Sequence, residues 1–296
     1  MRAARRRRLC SASRDIAASV DAPRALVPFL ARVFSGLESL GSSPRAIISL
    51  LRRLGLVPAC ERRGDRRGCV LRARPWRVLD LACGKGDLAI TLARHLGFSC
   101  VGGRGAARGA DSWRVVGIDA CGEFIEHARE RAARLGVGHA CEFRVASIGA
   151  TMRPGRGVLA GDSAFDAALM IGLWGTERAV ALLSRVVRAG GVYVIDDAFA
   201  VDERAAHRHG AATLADAVRF VGERGGEVLH AALVPRRSVR ASNQRILARL
   251  SRNARELARE RRSLRPALAE FMRRQRAASR LLEGGLRPGL IVVRRA

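Results

Sequence analysis

Lysine is almost missing from this 296-residue chain: Lys85 is the single one among 54 basic residues, and arginine supplies the rest. No apolar run reaches the roughly 18 residues a membrane helix needs, so no membrane-spanning segment is expected. Aromatic residues make up only 4% of the chain. No aromatic-rich patch or recognisable RNA-binding module accompanies the arginines. The seven cysteines are odd in number and scattered, with no Cys-x-x-Cys pair. That pattern excludes a disulfide framework, argues against a zinc site and fits reduced thiols in a cytoplasmic protein, so no metal is expected. The basic run from Met1 to Arg8 has no long apolar stretch behind it and is not a secretory signal. Residues 1–20 read as a basic disordered tail.

What is present is a folded composition. Hydrophobic residues make up 48%, and the length gives ample core for a large domain. The formal charge of +27 would attract polyanions non-specifically. A GC-rich genome produces the same arginine skew, so charge alone is not counted as evidence for a nucleic-acid partner.

The most informative stretch is Val78-Leu79-Asp80-Leu81-Ala82-Cys83-Gly84-Lys85-Gly86-Asp87-Leu88-Ala89. It predicts an apolar strand, a tight glycine loop and a helix to about Leu96. Gly84 and Gly86 remove side chains where the backbone turns sharply and approaches a ligand. The helix that follows aims its free N–H groups and positive dipole end at the loop. Glycine spacing alone fits a dinucleotide fingerprint and is a weak signal. Asp80 changes the reading, because a carboxylate at the strand end repels a pyrophosphate and suits an ammonium group. A second strand, Trp113 to Asp119, also ends in an acid, and one carboxylate there can accept both hydroxyls of a ribose. The gap from the glycine loop exceeds the usual 20 or so residues; the Gly-rich insertion Gly102–Gly109 accounts for the excess.

On these residues the chain resembles class I S-adenosylmethionine-dependent methyltransferases. The resemblance covers about Trp76 to Val234 and Leu290 to Val293. It implies an α/β fold: a Rossmann-like, seven-stranded, mostly parallel sheet with helices on both faces and an antiparallel last strand, here with a helical cap. It implies S-adenosylmethionine as cofactor, with Asp80, Ala82, Cys83, Gly84 and Gly86 at its methionine end and Asp119 and Ala120 at the ribose. Ala82 replaces a usual glycine, and a positive φ there costs more than with glycine. Ser147 stands where an Asp commonly accepts from the adenine amino group. A hydroxyl accepts less strongly, and the backbone at Ser147 and Ile148 is the fallback. Ile171 completes the expected cofactor contacts.

Further strands are expected at Cys141–Ala146, Phe165–Ile171, Val192–Asp197, Glu227–Val234 and Leu290–Val293. Helices are expected at Glu123–Leu135, Glu177–Arg188 and Thr213–Gly222. The loop Gly172–Gly175 falls at the carboxyl end of the sheet, where open α/β folds bind ligands, and Trp174 is a candidate lining for an acceptor pocket. That loop has no Asn-Pro-Pro-aromatic sequence, which counts against amino methylation of adenine or glutamine by enzymes bearing that motif. Asp196 and Asp197 are weak catalytic candidates; adjacent in a strand, they point to opposite faces. His207 and His209 read as surface residues.

The expected organisation is a tail at 1–20, an N-terminal helical cap and loop at 21–72, and a core at 73–296 with a helical insertion at 239–283. In the cap, Leu26, Phe29, Leu30, Val33, Phe34 and Leu37 recur at helical spacing. Ser43 then reads as an N-cap before Pro44. The insertion reads as two helices, the second starting at Pro266. With the helices before Leu56 it is expected to lie over the carboxyl end of the sheet. Asn243 and Gln275, uncharged in an arginine-dominated segment, are its candidate acceptor contacts. The function expected is methyl transfer to a small-molecule acceptor. A nucleic-acid methyltransferase and a nicotinamide-dependent oxidoreductase are the alternatives, and the oligomeric state is open.

Overall fold

The computed structural model describes residues 16–17, 20–39, 41–56, 76–100, 113–151, 159, 164–172 and 175–296. Most of the Arg-rich tail, residues 57–75, the stretch Gly102–Gly109 and Trp174 lie outside the described residues.

The strands are β1 (Trp76–Leu81), β2 (Trp113–Asp119), β3 (Cys141–Val145), β4 (Phe165–Ile171), β5 (Val187–Ala200), β6 (Gly226–Leu233) and β7 (Leu286–Arg295). They form one sheet in the order β3-β2-β1-β4-β5-β7-β6. The first five run parallel, and β7 runs antiparallel between β5 and β6. Val, Ile, Leu and Ala dominate β1, β2 and β4, which are buried on both sides, as central parallel strands are. The strand order reverses between β1 and β4, so a crevice opens at their carboxyl ends.

Alternation along the strands divides the core into two layers. Val78 of β1 and Val192 and Val194 of β5 face α2 (Pro44–Arg53), α3 (Asp87–Cys100) and α4 (Gly122–Arg134). Leu79, Leu81, Tyr193 and Ile195 face the other way, toward Ala179, Val180 and Leu183 of α6 (Thr176–Val186) and Ala217 and Val221 of α8 (Leu214–Glu223). Two short helices, α5 (Ile148–Thr151) and α7 (Glu203–His209), complete the connections. The Thr213 hydroxyl accepts from the Asp216 N–H and the Asp216 carboxylate accepts in return, a capping box that fixes the start of α8.

The N-terminal segment departs from the expected helix. Arg24–Phe29 is 3₁₀, and only one α turn follows, α1 (Leu30–Val33). Pro28, inside that segment, supplies no N–H for an α-helical bond. Gly36, at φ +69°, then turns the chain away. Pro44 opens α2 as expected, but the Ser43 side chain makes no cap hydrogen bond. β5 starts five residues before Val192, because Gly190 and Gly191 join the strand through an irregularity in its pairing with β4. His207 and His209 are on helix α7 and exposed, and no metal-holding group of three or more His, Cys, Asp or Glu occurs among the described residues.

Between β6 and β7 the chain forms a helical hairpin, α9 (Arg236–Glu260) and α10 (Arg265–Glu283), with Pro266 in the first turn of α10. Leu250, Leu257, Leu268 and the fully buried Phe271 pack on Leu26, Leu30, Val33 and Phe34. Truncating a buried phenylalanine such as Phe271 costs about 3–5 kcal/mol. The same cluster takes in Cys121 and Phe124, just past the carboxyl end of β2. The hairpin and residues 22–34 therefore form one cap against that end of the sheet. Helix α2 is not part of it: Ile47, Ile48, Leu50 and Leu51 pack on the sheet face beside α3.

Candidate active site

Asp80 is the most constrained group in the crevice. It is 2% exposed on β1, and its Oδ2 is buried with no hydrogen-bond partner among the described residues. Burial pushes its pKa up to about 7; the backbone N–H of Ala89 opposes this, and the charges of Asp119 and Asp87 add to it. A buried carboxylate oxygen without a partner is costly, and a cationic donor is the kind of group that would satisfy it.

The glycine loop follows. Ala82 sits at φ +60°, the left-handed conformation the sequence made expensive. The Cys83 side chain turns inward to the apolar layer and its thiol is pushed well above its ordinary pKa by burial, so only its backbone is placed to meet a ligand. Gly84 and Gly86 both have positive φ, for different reasons. A Cβ on Gly84 would meet nothing within 4 Å, whereas a Cβ on Gly86 would lie 2.9 Å from Ala128 and Phe143. Gly84 leaves space at the loop; Gly86 allows α4 and β3 to close on it.

Asp119, at the end of β2, ties two loops together. Its Oδ2 accepts from the Gly84 N–H at 2.9 Å and its Oδ1 from the Cys121 N–H at 2.8 Å. Burial raises its pKa; the N–H groups of Cys121, Gly84 and Ala120 oppose that rise. Each oxygen retains lone-pair capacity for a hydroxyl donor. Beside it, the Ala146 N–H donates to the Asp119 carbonyl, which brings Ser147, half-buried, and Ile148, buried, to the same end.

Within β5, level with the carboxyl end of β4, a second carboxylate is buried. Asp196 is 3% exposed and accepts from the Ser42 N–H at 3.0 Å. Burial pushes it up to about 6, against the Ser42 hydrogen bond. Gly41 crosses directly over this pair of strands: a Cβ there would lie 2.6 Å from Ile171 Cγ2 and 3.3 Å from Asp196 Oδ2. Asp197 points to the opposite face, as alternation requires, where it accepts from the Thr176 hydroxyl at 3.0 Å and the Ala198 N–H at 2.8 Å. There it lines a cavity of about 520 Å³ between α6 and α8 that also exposes Glu177, Asp216 and Glu223.

The structure thus gathers Asp80, Ala82, Gly84, Gly86, Asp119 and Ala120 at one end of the crevice, and Ile171 and Asp196 at its continuation. Asn243 and Gln275 are engaged within the hairpin and with the N-terminal segment. The Asn243 amide donates to the Ser279 carbonyl at 3.2 Å and to Glu283 at 3.0 Å, bracing the hairpin. The Gln275 amide donates to the Val20 carbonyl at 3.1 Å. Their uncharged amides serve the cap's own packing, which a polar residue in an arginine-rich helix does not distinguish from ligand contact. Sequence reasoning missed the Gly41–Ser42 backbone over Asp196, for which it carries no signal. It also missed Lys85, which its singularity could have flagged.

Asp80 near the end of β1, a loop turned by Gly84 and Gly86, and a second acid at Asp119 frame an α/β crevice at a topological switch point. Residues 74–214 match a family model described as a methyltransferase domain. That segment is a methyltransferase domain, and S-adenosylmethionine is the cofactor of such a domain. No curated protein matches the chain. Among solved structures it is similar to a methyltransferase from Geobacter sulfurreducens in complex with S-adenosylhomocysteine, at 18% identity and TM-score 0.65 over 90% of this chain and 97% of that one. A methyltransferase from Thiobacillus denitrificans, also with S-adenosylhomocysteine, aligns at 19% identity and TM-score 0.60, covering 90% and 98%. Coclaurine N-methyltransferase bound to N-methylheliamine and S-adenosylhomocysteine aligns at 14% identity and TM-score 0.55, covering 85% and 72%. At these identities the likenesses establish a shared fold.

Proposed function

We propose that the chain methylates a small-molecule acceptor held between the carboxyl end of β4, the part of β5 level with it and the segment that crosses them. The observation that carries this reading is Asp196: a buried carboxylate level with the end of β4, covered by the Gly41–Ser42 backbone. Such a roofed position suits a compact acceptor better than a polynucleotide, which needs an open, basic groove. The solved neighbour with N-methylheliamine supports the same acceptor class.

Bound S-adenosylmethionine supplies a methyl group already activated on a sulfonium. The residues' part is then mainly positioning. Asp80 would take the ammonium of the methionine end, which satisfies its orphaned oxygen. Gly84 leaves the space for that end, and Asp119 would accept the ribose hydroxyls while its N–H partners keep it oriented. Ser147 and Ile148 would border the adenine. Asp196 would accept a proton or hydrogen bond from the acceptor; its pKa of about 6 leaves it ionised at neutral pH. No described helix is long and apolar enough to cross a membrane. The free thiols of Cys83, Cys121 and Cys141 support a reducing, cytoplasmic setting.

The test is transfer of labelled methyl from S-adenosylmethionine in the presence of a small-metabolite extract or of total RNA. Label in the small-molecule fraction is expected. Label confined to RNA would replace the acceptor class proposed here.

A further inference from the structure

Lys85 has surroundings unlike those of the arginines. It lies in the glycine loop, 6% exposed, and its Nζ donates to the Phe34 carbonyl of the cap at 2.6 Å. That carbonyl is its one hydrogen-bond acceptor among the described residues; the face of Phe124 lies 5.9 Å from the ammonium. Burial lowers its pKa. A buried ammonium with one acceptor is a costly arrangement. It is also one a guanidinium fits poorly, since its rigid fork of five donors needs several acceptors. In a chain where every other basic residue is arginine, that shape requirement gives a reason for a lysine at this position.

The cap residues it grips are gripped from the other side as well. Asn253 of α9 donates to the carbonyls of Val33 at 2.9 Å and Ser35 at 2.8 Å, and Arg249 donates to Ser35 at 3.0 Å. The Phe34 ring stands edge-on to Phe124 and Phe271, with centroids 6.2 and 5.8 Å away. A few residues on, Glu38 pairs with Arg131 of α4 at 3.4 Å, and Arg131 pairs with Asp87, which follows Gly86, at 2.8 Å. The chain next reaches Gly41 and Ser42, over Asp196. One short stretch thus touches the cofactor loop, the hairpin and the acceptor end.

We propose that Lys85 is a positioning residue: through the Phe34 carbonyl it hangs the cap on the glycine loop, so that filling the loop with cofactor tightens the cap over the acceptor end. Binding at the loop and order in the cap are then linked, and the linkage is reciprocal. This rests on the reading of the glycine loop as the cofactor site.

The experiment is hydrogen exchange of the full chain with and without S-adenosylhomocysteine, with binding measured separately by calorimetry. In the wild type, S-adenosylhomocysteine is expected to slow exchange in residues 33–38 and 246–257 by about fivefold or more, as stabilisation of a local opening does. Lys85→Met, similar in length and apolar, is expected to bind S-adenosylhomocysteine within about tenfold of the wild type and to lose most of that cap protection. Lys85→Gln, shorter and uncharged, is expected to behave the same way and serves if the methionine variant fails to fold. Wild-type binding with no change in the cap overturns the coupling and leaves the cofactor site standing. Undiminished cap protection in a folded Lys85 variant overturns the role of Lys85. Absence of wild-type binding overturns both the coupling and the cofactor reading.

Discussion

The two ends of the crevice are built in opposite ways. At the proposed cofactor end, the groups from Asp80 to Gly86 come from a single stretch, and Asp119 reaches them across one strand pair. At the proposed acceptor end, Asp196 meets Ser42, 154 residues away, on the segment that follows the N-terminal part of the cap. The first is a local motif whose backbone geometry dictates its residues. The second is an assembly whose contacts depend on how distant segments fold together. Conditions and substitutions should therefore separate the two ends, and the expected effects fall in a definite order.

The largest contrast is within the glycine loop. Gly86→Val places a branched side chain against Ala128 and Phe143 at positive φ. Overpacking and the left-handed backbone together should cost about 2–5 kcal/mol, read as a lower urea midpoint. Gly84→Val meets open space, so it carries the left-handed backbone cost of about 1–2 kcal/mol without the overpacking; it should keep a native circular dichroism spectrum while losing detectable S-adenosylhomocysteine binding. Binding by a native-like Gly84→Val protein would show that the loop is only a turn.

Asp119→Ala comes next. It removes the proposed ribose contact and the acceptor for Gly84 and Cys121. The loss for charge-assisted hydrogen bonds is about 1.5–3 kcal/mol, so calorimetry should show S-adenosylhomocysteine binding weakened by at least about tenfold. An unchanged dissociation constant in the folded variant would contradict the assignment.

Asp196→Asn tests the separateness of the two ends. Turnover of the acceptor should fall by about 10²-fold or more, the usual range for loss of a general base, with S-adenosylhomocysteine affinity little changed. In the wild type, if ionised Asp196 is required, turnover should rise with pH through about 6. A parallel loss of cofactor affinity in Asp196→Asn would merge the two ends into one site.

The smallest effect is at Ala82. Relief of the left-handed conformation by Ala82→Gly is worth about 1–2 kcal/mol, and the added freedom of the unfolded chain offsets about 0.4–1 kcal/mol of it. A net stabilisation of under about 1.5 kcal/mol is expected by thermal unfolding. Clear destabilisation would mean that the methyl group is needed for packing.

The same contrast explains what could be read in advance. Trp113–Asp119 and Phe165–Ile171 formed at the expected bounds because apolar parallel strands bracketed by loops are strongly patterned. The positive φ at Ala82 followed from its place in a glycine motif. The carbonyl partners of Asn243 and Gln275 were not legible, because an amide looks the same in sequence whether it meets a ligand or a carbonyl. The cover over Asp196 is a backbone N–H, which has no sequence signature. The N-terminal segment kept a helical period, yet formed a 3₁₀ turn around Pro28.

The central claim is that the buried acid of β1 receives the cofactor's ammonium. Burial raises the pKa of Asp80 from its ordinary 3.8 to about 7. A carboxyl so raised stabilises the fold while protonated, and that contribution fades as the pH climbs from about 4 through 7. The decisive measurement is calorimetry of S-adenosylhomocysteine near pH 6.5, in two buffers of different ionisation enthalpy, on wild type and Asp80→Asn. The wild type should release a fraction of a proton to the buffer as Asp80 ionises against the ammonium. Asp80→Asn should be more stable when empty at pH 8, bind at least about tenfold more weakly, and lose the Asp80-linked proton release. Wild-type affinity and wild-type proton release in Asp80→Asn would contradict the account.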